Sequence, residues 1–174
     1  MKRFIYFMIV VFMFLCGCKK DSVSYENGDL KKAEILIKMN FCLTPNFELP
    51  WLSCLPEGSG QATGGGGWWS GQATYFGKIN NEKSYCETTF CFINEFGQWI
   101  QESVGIITVS NGDYCNFIAH TITTFPEVTF TGEIIINDGS GRFKGAKGTI
   151  LIDGSTDTST GISCWTGVGK ILFE

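Results

Sequence analysis

Residues 99–125 read WIQESVGIITVSNGDYCNFIAHTITTF, and the reading of this stretch decides the fold. Asn111-Gly112 lies between two apolar-rich runs. That arrangement is the strongest short hairpin signal, because both residue types accept the backbone angles of a tight turn. It predicts strands over Trp99–Ser110 and Tyr114–Phe125. With a two-residue loop at Asn111 and Gly112, Val109 faces Tyr114 and Ser103 faces His120. One face then carries Trp99, Gln101, Ser103, Ile107 and Val109 with Tyr114, Ile118, His120 and Ile122. The other carries Ile100, Glu102, Val104 and Ile106 with Cys115, Phe117, Ala119 and Phe125. Both faces are mostly apolar, so the sheet is expected to be sandwiched or curled closed with its outside covered.

The same alternation continues on either side. Val128, Phe130, Ile134 and Ile136 alternate with Glu127, Thr129, Thr131 and Glu133, the period of two that marks a half-buried strand. Gly148–Asp153 reads as its partner and Trp165–Phe173 as a closing strand. Lys32–Phe41 reads as a first strand, although its Ala-Glu-Ile-Leu-Ile-Lys segment would also pass as helix. Residues 43–70 read as an irregular insertion: Pro45, Pro50 and Pro56 interrupt regular structure, and four glycines, 64–67, precede Trp68-Trp69. Twenty-two glycines and 17% charged residues fit an all-β chain.

Residues 1–17 have the form of a signal peptide. Lys2 and Arg3 precede an apolar run, Phe4–Leu15, that is too short for a bilayer needing about 20 apolar residues. Leu15-Cys16-Gly17-Cys18 follows and resembles the lipobox of bacterial lipoproteins. In that motif a small residue precedes the scissile bond and the next residue is a thiol that takes diacylglycerol, which makes Cys18 the expected lipidation site. Two or more acyl chains, at about 0.8 kcal/mol per buried methylene, anchor a protein stably where one does not. Lys19-Lys20-Asp21 resembles the charged stretch that sends some bacterial lipoproteins outward. The expected organisation is a signal peptide over 1–17, a lipidated N-terminus and polar tether over 18–30, and a single domain over 31–174. The expected location is the bacterial cell envelope, lipid-anchored at the outer membrane, facing the periplasm or the surface.

Removing 1–17 takes two of the 13 basic residues and none of the 17 acidic ones, a formal charge of −6. Nucleic acid is therefore not an expected partner, for want of groups to neutralise phosphate. Cys42, Cys54, Cys86, Cys91, Cys115 and Cys164 remain, an even number that in an exported domain suggests disulfides. Fifteen connectivities are open. Cys86 and Cys91, on one extended strand, would be about 16 Å apart and could pair with each other only across a turn. Zinc is the rival reading, but the single histidine is far from any Cys pair of ligand spacing, so no metal and no cofactor is expected.

A family resemblance enters at 138–148. Gly139, Gly141, Phe143, Gly145, Ala146 and Gly148 match the Gly-x-Gly-x-Phe-x-Gly-Ala-x-Gly turn of allene oxide cyclase and dirigent-like barrels. Ser70–Gly77 resembles an early Gly-x-Ala-Thr-x-x-Gly segment of their small bacterial relatives, and Val109–Tyr114 resembles those relatives' central hairpin. The resemblance implies a single antiparallel closed β-barrel of eight strands, allene oxide cyclase-like or calycin-like, in which closure removes exposed edges. It implies no function by itself. The enzymes' catalytic residues have no secure match here.

Templates for catalysis mostly fail, since there is one histidine, no G-x-S-x-G and no phosphate-binding loop. Three residues remain as catalytic candidates. His120, with Ser103 opposite and Gln101 and Tyr114 on the same face, would make a polar cluster inside a barrel; alternatively it is a hydrogen-bonded histidine on a wet wall. Glu102 and Glu133 are mid-strand carboxylates that a cyclase or isomerase could use, or solvent-facing charges. Trp68, Trp69, Trp99, Tyr114 and Ser103 are ligand-binding candidates, because an indole offers a flat apolar face and one donor. The expected function is that of a non-enzymatic envelope lipoprotein that binds a small apolar ligand, a glycan or an envelope partner. The alternative is a cyclase or isomerase acting on a hydrophobic substrate in the lumen.

Overall fold

The computed structural model describes residues 33–49, 52–54, 62–63 and 65–173. The expected signal peptide, Cys18 and the tether lie outside the described residues. The fold is all-β. Eight long strands run antiparallel: β1 (Ala33–Pro45), β2 (Gly66–Ala73), β3 (Tyr85–Ile93), β4 (Trp99–Thr108), β5 (Tyr114–Thr124), β6 (Thr129–Gly139), β7 (Ala146–Thr156) and β8 (Ser163–Phe173). From β2 to β8 each strand pairs with the next in sequence, β8 pairs with β1, and β1 pairs with β2, so the sheet closes into a ring of eight. The closure is uneven. The β1–β8 ladder runs for eleven residue pairs, from Ala33↔Phe173 to Leu43↔Ser163. The β2–β3 ladder has three, Gly66↔Glu87 to Trp68↔Tyr85.

Side chains alternate between the inside of the ring and solvent, as the pleat requires. Ile37, Met39 and Phe41 of β1, Phe130, Ile134 and Ile136 of β6, and Ile150 and Ile152 of β7 are all buried inside. The first strand is therefore a strand and not a helix, and its ladder reaches Pro45. The ladder resumes at Gly66, so the irregular stretch is shorter at both ends than 43–70. The glycine run that reads as a breaker is part of β2. Gly66 and Gly67 lie so close to the neighbouring backbones that a Cβ on either would meet the Cys86 or Thr44 carbonyl oxygen within about 2 Å. Bulky residues there would push apart the ladders that close the ring.

The central hairpin forms, in a register one residue away from the expected one. Thr108 pairs with Tyr114, Ser103 with Ala119 and Glu102 with His120. The loop has three residues rather than two. Gly112 donates to the Val109 carbonyl, Val109 donates to the Asp113 carbonyl, and Gly112 has φ +93°. This is a turn followed by a left-handed residue, the common three-residue hairpin form. Asn111 fixes it by accepting from the Asp113 backbone N–H at 3.1 Å. The shift exchanges the faces of β5: Cys115, Phe117 and Ala119 point inward, and Tyr114, His120 and Ile122 point outward.

Two disulfides form, Cys42–Cys164 across β1 and β8, and Cys54–Cys91 between the 46–65 segment and β3. Cys86 and Cys91 share a strand and do not pair with each other. Cys86 and Cys115 were expected to join disulfides; both are free and buried. Their strands, β3 and β5, are separated by β4. Two strand spacings of about 4.8 Å exceed the reach of about 7 Å that a disulfide allows.

Candidate functional site

The interior is filled at one end and open at the other. The filled end lies under the turn at 139–148. There Phe143 is fully buried and sits edge-to-face on Phe76 at 4.8 Å, beside Ile107, Val109, Ile136 and Ala146. Gly141 and Gly145 take positive φ, which turns the chain around Phe143. Asp138, itself at φ +71°, accepts from the backbone N–H of Gly145 at 2.8 Å and of Gly139 at 2.7 Å. Those hydrogen bonds, that of Gly145 first, lower its carboxyl pKa. Arg142 ties the turn down by donating to the Phe76 carbonyl at 2.8 Å. The residues that carry the family resemblance therefore plug one end of the ring.

At the other end the side chains leave a cavity of about 300 Å³, to which every one of the eight strands contributes. Its floor is aromatic. Trp69 of β2 packs on Phe117 at 4.5 Å and on Trp165 of β8 at 4.9 Å, with Phe41 beneath them at 5.6 Å from Trp69. Gly105 makes this layer fit, because a Cβ there would lie 2.5 Å from the Phe117 ring. Trp99 lines the mouth and meets Phe125 edge-to-face at 4.7 Å.

One wall is polar but uncharged. Gln101 donates to Thr88 at 2.7 Å and to Ser103 at 3.3 Å, and the two hydroxyls lie 3.5 Å apart. Across the mouth Thr156 and Ser163 share a hydrogen bond of 2.8 Å. Among the described residues, no Asp, Glu, His, Lys or Arg side chain lines the cavity. The one titratable group there is the thiol of Cys86, which burial pushes up to about 11. At neutral pH the described lining residues are uncharged.

One indole donor in this layer has no partner. The indole N–H of Trp165 is buried and makes no hydrogen bond, while that of Trp69 reaches the Cys86 thiol, a weak acceptor. A buried donor left unmet costs about 1–3 kcal/mol.

Of the ligand-binding candidates, Trp69, Trp99 and Ser103 line the cavity. Trp68 and Tyr114 do not. Trp68 is the next residue on the strand and points outward onto Tyr85, at 6.1 Å. Tyr114 is exposed at the plugged end, where its backbone N–H donates to Ser140. Trp165 and Thr88 were not singled out from sequence, though Trp165 heads the alternation Trp165, Gly167, Gly169, Ile171 that places it inside.

The three catalytic candidates do come together, but on the outer surface. The β4–β5–β6 register sets Glu102, His120 and Glu133 side by side. His120 Nε2 lies 3.3 Å from Glu102 and Nδ1 3.3 Å from Glu133, with the three side chains 39–47% exposed. The expected inward cluster of His120 with Ser103, Gln101 and Tyr114 does not form, because the one-residue shift turns His120 to solvent. No group of residues suited to hold a metal ion occurs among the described residues.

No family model, no curated protein and no solved structure matches this chain. The geometry therefore carries the functional reading.

Proposed function

We propose that this chain is an exported, lipid-anchored protein of the bacterial cell envelope whose ring is a β-barrel of the allene oxide cyclase-like or calycin-like kind, and that it binds a small, uncharged, largely apolar ligand in its open end. The observation that carries the binding reading is the cavity itself. A site of about 300 Å³ lined by indoles, two phenyl rings and six hydroxyls has the composition of a small-molecule pocket. Ionised ligands fit poorly, because no counter-charge lines the wall among the described residues and burying an unpaired charge is costly. The groups a cyclase or isomerase would draw on, His120, Glu102 and Glu133, lie outside the ring. Binding without turnover is the reading these positions favour.

The address rests on other residues. The Leu15–Cys18 motif supports lipidation on Cys18, and the two disulfides fit a compartment where such bonds persist. Native mass spectrometry of protein purified from the envelope tests both halves. The expected spectrum shows chain 18–174 with the mass of a diacylglyceryl group and an additional neutral molecule that leaves on activation. An unacylated chain removes the anchor, and Cys18→Ser that is still processed and membrane-bound removes it equally. Ligand-free protein that also fails to retain any neutral apolar compound added in solution removes the binding reading.

A further inference from the structure

Charge is sorted along the axis of the ring. Lys78 and Lys83 stand on the β2–β3 connection, Arg142 and Lys144 on the turn around Phe143, and Lys147 beside the start of β7, all exposed at the plugged end. The four loops round the mouth carry Glu48, Glu95, Glu127 and Asp157 instead, and among their described residues no Lys or Arg. The sorting continues down the walls. Among the described residues no Lys or Arg is the chain neighbour of a cavity-lining residue, whereas Glu48, Glu87, Glu127, Asp153 and Asp157 each is. We infer that the plugged end docks on an anionic phospholipid bilayer and holds the mouth toward the aqueous side, so that the ligand enters from water; the inference rests on the anchored-protein reading above and adds an orientation to it.

The mature chain is acidic overall, and an evenly charged domain of that sign would be repelled by an anionic surface. Sorting lets one end be attracted while the other is repelled. At the plugged end the five basic groups outnumber the carboxylates of Glu82, Asp113 and Asp138. Asp138 commits its carboxylate to the backbone N–H groups of Gly145 and Gly139, and half-buried Asp113 accepts from Asn111 at 2.9 Å and from the Arg142 backbone N–H at 3.3 Å. Nearby Glu34 is answered by Lys170 at 2.5 Å. Lys78, Lys83 and Lys144 make no ion pair with a carboxylate among the described residues. The path of the chain selects a bilayer over a soluble polyanion. Ala33, where β1 begins, pairs with Phe173, which pairs with Ala146 at the close of the plug turn. A lipid on Cys18 is therefore tied to the basic end and not to the mouth, by a stretch of at most about 50 Å when extended. Phe47, Phe96 and Phe125 are exposed on the mouth loops and would suit insertion into lipid. Each lies within two residues of Glu48, Glu95 or Glu127, which anionic headgroups repel.

The test couples chain 18–174 through the Cys18 thiol to a maleimide phospholipid, so that orientation is read whether or not the cell acylates that residue. Acetylation of lysines and carbodiimide labelling of carboxylates are followed by mass spectrometry on vesicles of phosphatidylcholine, with and without phosphatidylglycerol. On the anionic vesicles, acetylation of Lys78, Lys83 and Lys144 is expected to slow by about fivefold or more, the factor expected for a basic side chain held at an anionic surface. Lys38, about 16 Å up β1 from Ala33 on the side wall, is the internal reference. Glu48, Glu95 and Glu127 are expected to label equally on both vesicles, and about 0.5 M salt should abolish the lysine protection. In the Lys83→Glu/Lys144→Glu variant, both substitutions at exposed positions, the protection of Lys78 should be lost as well. Equal lysine rates on the two vesicles overturn the inference. Protection of the mouth glutamates with the lysines left open overturns it too, and turns the mouth to the lipid. Protection by soluble heparin without protection on the vesicle assigns the basic end to an acidic macromolecule and overturns the lipid. An unacylated chain in the native mass spectrum removes the anchor and leaves this measurement standing.

Discussion

At the end of the ring under the Gly139–Gly148 turn, the inward side chains are Ile37, Ile107, Val109, Ile136, Phe143 and Ala146, each at 0–1% exposure. At the opposite end Thr88, Gln101, Ser103, Thr121, Thr123 and Thr156 stand around a cavity. The strands are continuous from one end to the other, so the contrast lies in side chains and not in backbone. Aliphatic residues pack to the density of an organic crystal and leave no room. Hydroxyls spaced round a wide mouth do not interdigitate, and they keep the mouth wettable. One half of each strand therefore stabilises the fold, and the other half shapes a site.

Ile150 and Ile152 give the sharpest way to break this comparison. They are two residues apart on β7, face the same way, and differ in lying within the plugged half and on the cavity wall. Ile→Ala at buried positions costs about 2–5 kcal/mol, with the spread set by how much packing is lost. Ile150→Ala is expected near the top of that range and Ile152→Ala near the bottom, measured by urea unfolding. Equal losses would mean that the cavity half is packed like the other. The two free thiols form a second matched pair. Burial pushes Cys86 up to about 11 and Cys115 up to about 12, so both are almost wholly protonated at pH 8. Cys86 lines the cavity and Cys115 does not. Methyl methanethiosulfonate is therefore expected to modify Cys86 faster by about tenfold or more, from thiolate fraction and access together. A saturating neutral apolar probe such as 2-acetylnaphthalene is expected to slow that reaction by filling the cavity. Cys115 reacting first would place the opening at the wrong end.

The contrast between the ends was only half legible in the sequence. Alternation over β1 and β4–β8 is written in residue order, because each strand has a period of two and a recognisable run. The register of the central hairpin is not, since Asn111-Gly112 suits a two-residue and a three-residue loop alike. Tertiary contacts decide between them: Val109 is bridged to Ile79 outside the hairpin. That single step moved His120 from the lumen to the surface. Likewise the glycines before Trp68 read as breakers, whereas crowding by β1 and β3 makes them part of a strand, and the alternation then separates Trp69 inside from Trp68 outside. The cavity itself is the joint product of eight strands. Its polar wall draws Thr88, Gln101 and Ser103 from two neighbouring strands, and no local stretch announces it.

Asp138 tests how the plugged end is held. Its carboxyl pKa is lowered by the hydrogen bonds from Gly145 and Gly139. A depressed carboxylate contributes stability that is fully present above its unfolded pKa, about 3.9, and is lost as pH falls through the lower folded value. Asp138→Asn is expected to flatten the fall in thermal midpoint below about pH 4 and to leave midpoints above it less changed. An unaltered acid limb would show that the turn stands without that carboxylate.

His120 gives the smallest expected effect and the one most specific to inside against outside. Its two carboxylate partners make it look like a catalytic dyad with a base, yet all three side chains are about half exposed. Exposed ion pairs contribute about 0–1 kcal/mol, because water competes for the charges and the side chains must be held in place. His120→Ala is therefore expected to shift the unfolding free energy by less than about 1 kcal/mol and to leave the binding of a neutral apolar probe such as 2-acetylnaphthalene unchanged by dialysis. The opposite outcome, a loss of about tenfold in that probe's affinity in a variant of normal stability, would mean that the outer wall of β5 communicates with the lumen. The route would have to be Ala119, His120's neighbour in sequence, which lines the cavity on the other side of the same strand. A strand held by ladders on both sides, with ten residue pairs to β4, has little freedom to transmit such a change. That rigidity is why the surface cluster is expected to be silent toward the site.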